Sequence, residues 1–269
     1  MTSAPTDEQT PPEPDAEEEP DGEEEERDGG EMTLLGHLLE LRNRVTWMAG
    51  AIIVGMCIFF PPPVNFAVWE FLLEPARARI DNFGAQAIEP LENLGVYFRI
   101  ALAGGLAVAM PMLVYQAMRF VAPALTKQEK RWIYPIALGA SFAFIAGMAF
   151  CYFVVLPAAY GFLFQFGSDL ASPNPRISSY MDLTLRLLVI LGFVFEMPIL
   201  IMGLARIRVV HWRKLLGWWR IAIIGAFVVS AIATPTIDPV TQSLVAGPMI
   251  VLYMLGIGLA WIVRPTAEE

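Results

Sequence analysis

The sequence predicts an all-α integral membrane protein with six transmembrane helices, and three observations support that prediction. Hydrophobic residues make up 56% of the 269 positions and the mean hydropathy is +0.53, whereas soluble domains are only about 45 to 50% apolar. Apolar segments close to the roughly 20 residues that a bilayer requires recur six times along the chain. The connections between these segments alternate between rich and poor in basic residues.

The first 31 residues form an acidic tail that differs sharply from the rest of the chain. They hold 14 of the 27 acidic residues and a single cation, Arg27, with almost no apolar side chains to bury. Such a segment cannot offset its own chain entropy, so we expect it to be disordered. It has neither the basic start nor the apolar stretch of a signal peptide. We therefore divide the chain into a tail at 1–31, a membrane domain at 32–264 and a short C-terminal tail at 265–269.

The membrane domain begins with an amphipathic stretch. Leu34, Leu38 and Leu41 recur at helical spacing, Glu40 lies on another side, and Thr33 fits an N-cap. This pattern predicts a short helix over 33–44 that lies in the membrane interface.

Six apolar segments follow this stretch. Prolines 61–63 end the first segment, and a helical pattern in the connection at 63–95 predicts a helix that caps the spans. The fifth and sixth segments are joined only by ATPTIDPVTQ, which predicts a tight helical hairpin that does not fully cross the membrane. The predicted spans are 45–62, 96–117, 133–156, 184–205, 217–233 and 243–263.

The basic residues predict an orientation. If the N-terminus is cytoplasmic, twelve of the 18 Lys and Arg residues fall on the inner side and five on the outer side, with Arg27 of the tail set apart. Cytoplasmic loops are enriched in Lys and Arg, so the bias favours both termini in the cytoplasm.

Glu196 is an acid midway along the fourth predicted span. An ionised carboxylate there is costly unless it has a partner or faces water, and such residues are functional by default. The structural alternative is a neutral acid that donates to a carbonyl freed by Pro198. Gln242, near the start of the sixth span, fits either an interhelical hydrogen bond or an interfacial position.

The connection between the second and third predicted spans carries one acid, Glu129, among basic residues. In water this arrangement is usually an ordinary solvated ion pair. Here the connection joins two spans, so it presents its charges at the membrane surface. The basic residues are Arg119, Lys127, Lys130 and Arg131.

The sequence contains no pattern that points to an enzyme, a cofactor or a metal site. Cys57 and Cys151 both lie in apolar spans, where a small hydrophobic residue suffices. The two histidines, His37 and His211, cannot assemble a nucleophile with a base, and no phosphate-binding loop occurs.

Six motifs in one order resemble the C subunit of the twin-arginine protein translocase, the TatC family. The resemblance runs from about Leu34 to Ile262, which covers nearly the whole membrane domain. The motifs are HLLELRNRV at 37–45, PMLVYQAMRFVAPALTKQEKR at 111–131, GMAFCYFVVLPAAYGFL at 147–163, FVFEMP at 193–198, GAFVVSAIATP at 225–235, and the DPVTQ that begins at Asp238.

The resemblance implies a cupped, six-span protein of the inner (cytoplasmic) membrane with cytoplasmic termini. Members of the family bind signal peptides with consecutive arginines on folded cargo and gather single-span TatA-type subunits, and often TatB-type subunits. Export is driven by the proton-motive force, several copies assemble in one complex, and no nucleic acid is involved. The sequence leaves open whether a separate TatB-type partner exists.

The resemblance also assigns candidate site residues. It implies that Glu40 and Glu129 receive the two arginines, since a guanidinium offers a carboxylate a planar fork of donors. It implies that Phe120 and Pro123 shape the adjoining loop, although an apolar anchor and a turn would explain them equally.

Two further positions match polar residues of the family. Glu196 corresponds to an intramembrane acid on the concave side that is associated with partner contacts, and Gln242 to a position linked to the single-span subunits. The family often has an acid after the LY of the last span, whereas here Met254 follows Tyr253. Any role of that acid therefore does not transfer.

Two other classes of protein compete with this interpretation. A proton-coupled secondary transporter of a small solute would also place an acid such as Glu196 at mid-membrane, but we find no internal repeat between the halves. An intramembrane enzyme would require ionisable residues converging from several spans.

Overall fold

The computed structural model describes residues 34–78, 85–122, 130–165, 175–206, 210–234 and 238–263. Within these ranges the regular structure is helical, and one isolated β-bridge joins Gln86 and Arg176. We number the helices α1 Leu34–Phe59, α2 Pro62–Arg77, α3 Glu92–Val121, α4 Ile133–Phe150, α5 Leu156–Gln165, α6 Ile177–Arg206, α7 Trp212–Gly217, α8 Trp219–Ala233 and α9 Pro239–Ile262.

Long apolar helices confirm the all-α membrane fold. Among the described helices, four are long and apolar enough to cross a bilayer: α3, the continuous Ile133–Gln165 of α4 and α5, α6, and α9. A fifth candidate is the pair α1 and α2, which passes the same test together but is bent by 87° between the two helices. The fifth predicted span, 217–233, corresponds to α8, whose 15 residues extend only about 22 Å and so fall short of a bilayer core of about 30 Å.

The N-terminal stretch differs from the sequence prediction. The amphipathic segment and the first span form one uninterrupted helix, α1, of 26 residues. No proline or glycine pair separates the polar segment from the apolar one, and a helix that has started extends at little cost per residue. The polar residues around Glu40 therefore extend the first span.

The helix that was predicted to cap the spans is present as α2. It begins directly after Pro61, with prolines in its first turn, and buries Leu72, Leu73 and Ala76 against the bundle. Pro75 has no N–H to donate to the carbonyl of Phe71. The hydroxyl of Tyr152 donates to that carbonyl at 2.8 Å instead, which fixes α2 to the turn that directly follows α4.

Asn65 joins three helices at the bend between α1 and α2. Its side chain is fully buried, and its Nδ2 donates to the carbonyl oxygens of Phe59 and Tyr97 at 3.1 Å each. The last carbonyls of a helix have no partner within the helix, so Asn65 satisfies the end of α1 while holding it to α3.

Glycines allow α1 and α3 to pack closely. A Cβ added at Gly55 would lie 2.4 Å from the carbonyl oxygen of Gly105, and one added at Gly105 would lie 2.5 Å from the backbone nitrogen of Met56. Small residues at both positions thus let the two backbones approach closely.

A π-helical turn, Cys151–Val155, interrupts the span formed by α4 and α5. Pro157 follows it and would clash with the carbonyl of Phe153 in a regular α-helix, which the wider turn relieves. On the other side of the core, α6 packs against both α4 and α9, and its Met181, Leu187 and Leu191 are fully buried.

Candidate functional site

The candidate site lies where α1 begins and α3 ends, which we call the Glu40 end of the bundle. The opposite end, where α2 covers the spans, is the cap end. Glu40 and Phe120 lie at the Glu40 end. Glu129 and Pro123 lie outside the described residues, in the connection that leads from α3 to α4 at this same end.

Glu40 is held by a neighbour on its own helix. Its side chain is 19% exposed, and its Oε1 accepts hydrogen bonds from Nε of Arg44, at 3.0 Å, and from Nη2 of the same guanidinium. The pair is four residues apart, the spacing at which helical side chains meet. Both donors use one carboxylate oxygen.

The other oxygen of Glu40 has no donor among the residues that the structure describes. Oε2 is buried and makes no hydrogen bond within the described residues. A buried acceptor without a donor is unfavourable, so this oxygen is chemically ready to accept an N–H from a ligand.

Gln116 on α3 holds Arg44 in place. Its side chain is only 7% exposed, and its Oε1 accepts from Nη1 of Arg44 at 3.3 Å. The guanidinium therefore bridges Glu40 on α1 and Gln116 on α3. Sequence reasoning did not select Arg44 or Gln116 as site residues. The sequence feature that could have pointed to Gln116 is its polar side chain inside an apolar span.

Phe120 is brought to the same place as the motif around Glu40. Its ring stacks on His37 with the ring centroids 4.4 Å apart. His37 is one turn before Glu40, so Phe120 forms an apolar wall beside the carboxylate.

A cation lies next to this wall. Arg119 is exposed; its Nη1 donates to the hydroxyl of Tyr115 at 3.5 Å, and its guanidinium lies 5.8 Å from the centre of that ring. This side of the site is therefore basic, and among the described residues Glu40 supplies its acid.

Glu196 is far from this site along α6 and lies inside the helix bundle. Its side chain is 4% exposed, so within the chain it faces packed helices instead of an open surface. Its Oε1 has no hydrogen-bond partner in the described part of the chain. For that oxygen, the structure therefore gives no support to the suggested hydrogen bond with a carbonyl freed by Pro198.

Gln242 connects two helices. Its side-chain Nε2 donates to the backbone carbonyl of Phe227 at 3.0 Å. Its backbone carbonyl accepts from the hydroxyl of Ser230 at 2.7 Å. These bonds join α9 to α8, so of the two alternatives for Gln242 the structure supports an interhelical hydrogen bond.

The cap end holds an acidic clasp that sequence reasoning missed. One oxygen of Glu92 accepts from the backbone N–H of Ser178 at 2.8 Å and from Nε of Arg176 at 3.0 Å, and the other accepts from Ile88 N–H at 2.9 Å. Hydrogen bonds to Glu89 and Glu92 raise the pKa of Arg176. The clasp ties the connection before α3 to the start of α6.

Comparison with known proteins gives a consistent result. Residues 36–248 match the family model described as Sec-independent protein translocase protein (TatC). A Synechocystis sp. protein named Sec-independent protein translocase protein TatC is 37% identical over 233 residues, which cover 86% of this chain and 89% of that protein. An Arabidopsis thaliana protein, Sec-independent protein translocase protein TATC, chloroplastic, is 34% identical over 90% of this chain and 69% of its own length.

A solved structure shares the fold. The crystal structure described as twin arginine translocase receptor TatC in DDM has 36% sequence identity and a TM-score of 0.76. The match covers 83% of this chain and 99% of that structure.

Proposed function

The chain belongs to the TatC family of Sec-independent protein translocase proteins and is a membrane-embedded translocase subunit, not an enzyme; from this premise we propose that it is the signal-peptide receptor of its complex. We propose that consecutive arginines of a signal peptide bind at Glu40 and Glu129. The observation that carries the proposal is that Oε2 of Glu40 is buried and has no hydrogen-bond partner among the described residues.

The geometry around Glu40 suits arginine. Arg44 occupies one oxygen and is itself held by Gln116, which fixes the carboxylate and leaves its second oxygen for one incoming donor. A guanidinium supplies such a donor in a rigid plane, and Phe120 beside it offers a ring face on which that plane can stack. A lysine ammonium has no plane to stack.

Glu129 supplies the second carboxylate in this proposal. It lies nine residues after Phe120 in the chain, in the connection that returns to α4 at the Glu40 end. Two carboxylates tethered to one end of the bundle would bind two neighbouring arginines, and Pro123 would limit the paths open to that connection.

The test is binding of a peptide with Arg-Arg, and of its Lys-Lys counterpart, to the purified chain in nanodiscs. We expect Glu40→Gln and Glu129→Gln each to weaken binding of the Arg-Arg peptide by roughly 1.5 to 3 kcal/mol, which is about tenfold to a hundredfold or more in Kd. Glu74→Gln is the matched control, because Glu74 is an exposed acid at the cap end. Equal binding of both peptides to every variant would contradict the proposal.

We further propose that the bound receptor gathers TatA-type and TatB-type subunits against α8 and α9. A row of exposed apolar side chains on α8 supports this proposal, namely Ile221, Ile224, Val228 and Ile232. Gly225 lies in the same helix with open space around it, as a close helix contact requires. Gly225→Phe should reduce co-purification of a TatA-type subunit while leaving peptide binding unchanged.

The same proposal places the chain in the inner (cytoplasmic) membrane with both termini in the cytoplasm and export driven by the proton-motive force. The bias of basic residues toward one side supports it. A membrane-impermeant thiol reagent should label Glu268→Cys, with Cys57 and Cys151 replaced by alanine, only in inverted vesicles. The transporter hypothesis, which rests on Glu196, is not favoured by the family membership.

A further inference from the structure

Three charged residues form a cluster on the surface of α3 and α6 near the cap end. Arg99 on α3 and Asp182 on α6 form an ion pair of 2.7 Å, and both side chains are about half exposed. Arg186 follows Asp182 by one helical turn and is also exposed. The cluster holds two cations and one acid, so its net charge is positive.

Arg186 differs from the other described arginines at the cap end. Arg77, Arg99 and Arg176 each form an ion pair with an acid. Arg186 makes no ion pair or hydrogen bond with any residue in the described ranges. Its charge is therefore available to a ligand from outside the chain.

The depth of the cluster indicates which ligand that is. Arg99 is the last charged residue before the uncharged run 100–118 of α3, and Arg186 directly precedes the apolar run of α6. By helix rise, Arg99 lies about 10 Å below the start of α3 and Arg186 about 13 Å below the start of α6. Both cations thus lie at the edge of the apolar layer, where lipid phosphates are found.

The surface below the cations is apolar. Leu102 lies about one turn below Arg99, Phe193 lies two turns below Arg186, and both side chains are exposed. A ligand with a phosphate above and acyl chains below matches this order of surfaces. Basic positions between transmembrane helices bind lipid headgroups in this way.

We propose that Arg186, together with Arg99, binds the phosphodiester headgroup of an anionic phospholipid at the cap end of α3 and α6. The Arg99 guanidinium is shared with Asp182, so Arg186 supplies the uncompensated charge. A zwitterionic lipid brings its own cation and gains less from this site. The lipid would fill the surface between the two helices without requiring any change in the Glu40 end.

The test is retention of phosphatidylglycerol, compared with phosphatidylcholine, by the purified full chain in native mass spectrometry. We expect preferential retention of phosphatidylglycerol and about fivefold weaker binding for Arg186→Gln, the factor that corresponds to roughly 1 kcal/mol for one arginine near an anionic surface. Asp182→Asn should strengthen binding, because it frees the guanidinium of Arg99. Thermal stability of Arg186→Gln should match the parent chain, since Arg186 has no described intramolecular partner.

Arg77→Gln is the matched control, because it removes a cation at the same end that is already paired with Glu70. It should retain phosphatidylglycerol like the parent chain. Two results would overturn the proposal: unchanged retention in Arg186→Gln, or release of the lipid by inorganic phosphate at equal concentration. The second result would identify a free-anion site. Loss of a TatA-type subunit alongside unchanged retention would show that Arg186 instead pairs with an acid on a partner helix.

Discussion

Replacement of Gly105 by alanine should separate α1 and α3, the two helices that build the proposed recognition site. The added Cβ would lie 2.5 Å from the backbone nitrogen of Met56 and 2.9 Å from its Cα. Ordinary contacts of this kind are about 3.5 to 4.0 Å, so α1 must move away from α3 by about 1 Å. A backbone atom cannot change rotamer, and we therefore expect a destabilisation of roughly 1 to 3 kcal/mol.

Thermal unfolding in detergent, followed by circular dichroism, measures this effect. Gly50→Ala on α1 and Gly95→Ala on α3 are the controls, because a Cβ at either position meets nothing within 4 Å. Alanine is favoured over glycine inside a helix by roughly 0.5 to 1 kcal/mol, so the controls should be neutral or slightly more stable than the parent. The sign of the change should thus differ between Gly105 and the controls.

Peptide binding provides a second measurement on the same variant. A displaced α1 carries Glu40 and Arg44 away from Gln116, so Gly105→Ala should also weaken binding of the Arg-Arg peptide. Gly104→Ala should be milder, because the clash there is with the side chain of Phe59, which can rotate. Stability of Gly105→Ala equal to that of Gly50→Ala would refute the close helix contact.

Three further predictions concern buried polar groups. Asn65→Leu leaves the carbonyls of Phe59 and Tyr97 without their donor and should lower the free energy of unfolding by roughly 1 to 3 kcal/mol in a denaturant titration; no change would contradict the cap. Glu92→Ala should speed hydrogen exchange at the Ser178 amide while leaving peptide binding intact, and unchanged exchange would exclude the clasp. Gln116→Leu should weaken Arg-Arg peptide binding by about 1 kcal/mol, the typical value of one hydrogen bond, and keep the preference over Lys-Lys; full retention of affinity would show that Gln116 does not position Arg44.

The parts of the fold that the sequence predicted are those set by local rules. Apolar length predicted the long helices, the proline run predicted the end of α1 at Phe59, and the amphipathic pattern after it predicted α2. The continuity of α1 was not predicted, because a change from polar to apolar composition suggested a boundary. Composition changes at that point, but nothing in the backbone chemistry stops the helix.

The interactions that sequence reasoning missed join residues distant along the chain. Arg44 and Gln116 are 72 positions apart, and Arg176 and Glu92 are 84 apart. No periodicity within one helix reports which residues of another helix will lie opposite, because that depends on how the helices cross. Motif resemblance selected Glu40 as a candidate directly, whereas the residues that contact it, Arg44 and through it Gln116, required the packed structure.

The number of hydrogen bonds that each acid accepts distinguishes an acid that stabilises the fold from one that can bind a ligand. Glu92 accepts three backbone N–H groups, from Ile88, Glu89 and Ser178, as well as Nε of Arg176, so it has little capacity left for a ligand. Within the part of the chain that the structure describes, Glu40 accepts through one oxygen, and the other is buried without a donor. A carboxylate whose oxygens all accept hydrogen bonds holds chain segments together. A carboxylate with an unfilled buried oxygen is instead stabilised when a ligand donates a hydrogen bond to it. On this physical ground we propose that Glu40 is the binding group and Glu92 the structural one, which agrees with their exposure: the side chain of Glu40 is 19% exposed and that of Glu92 only 1%.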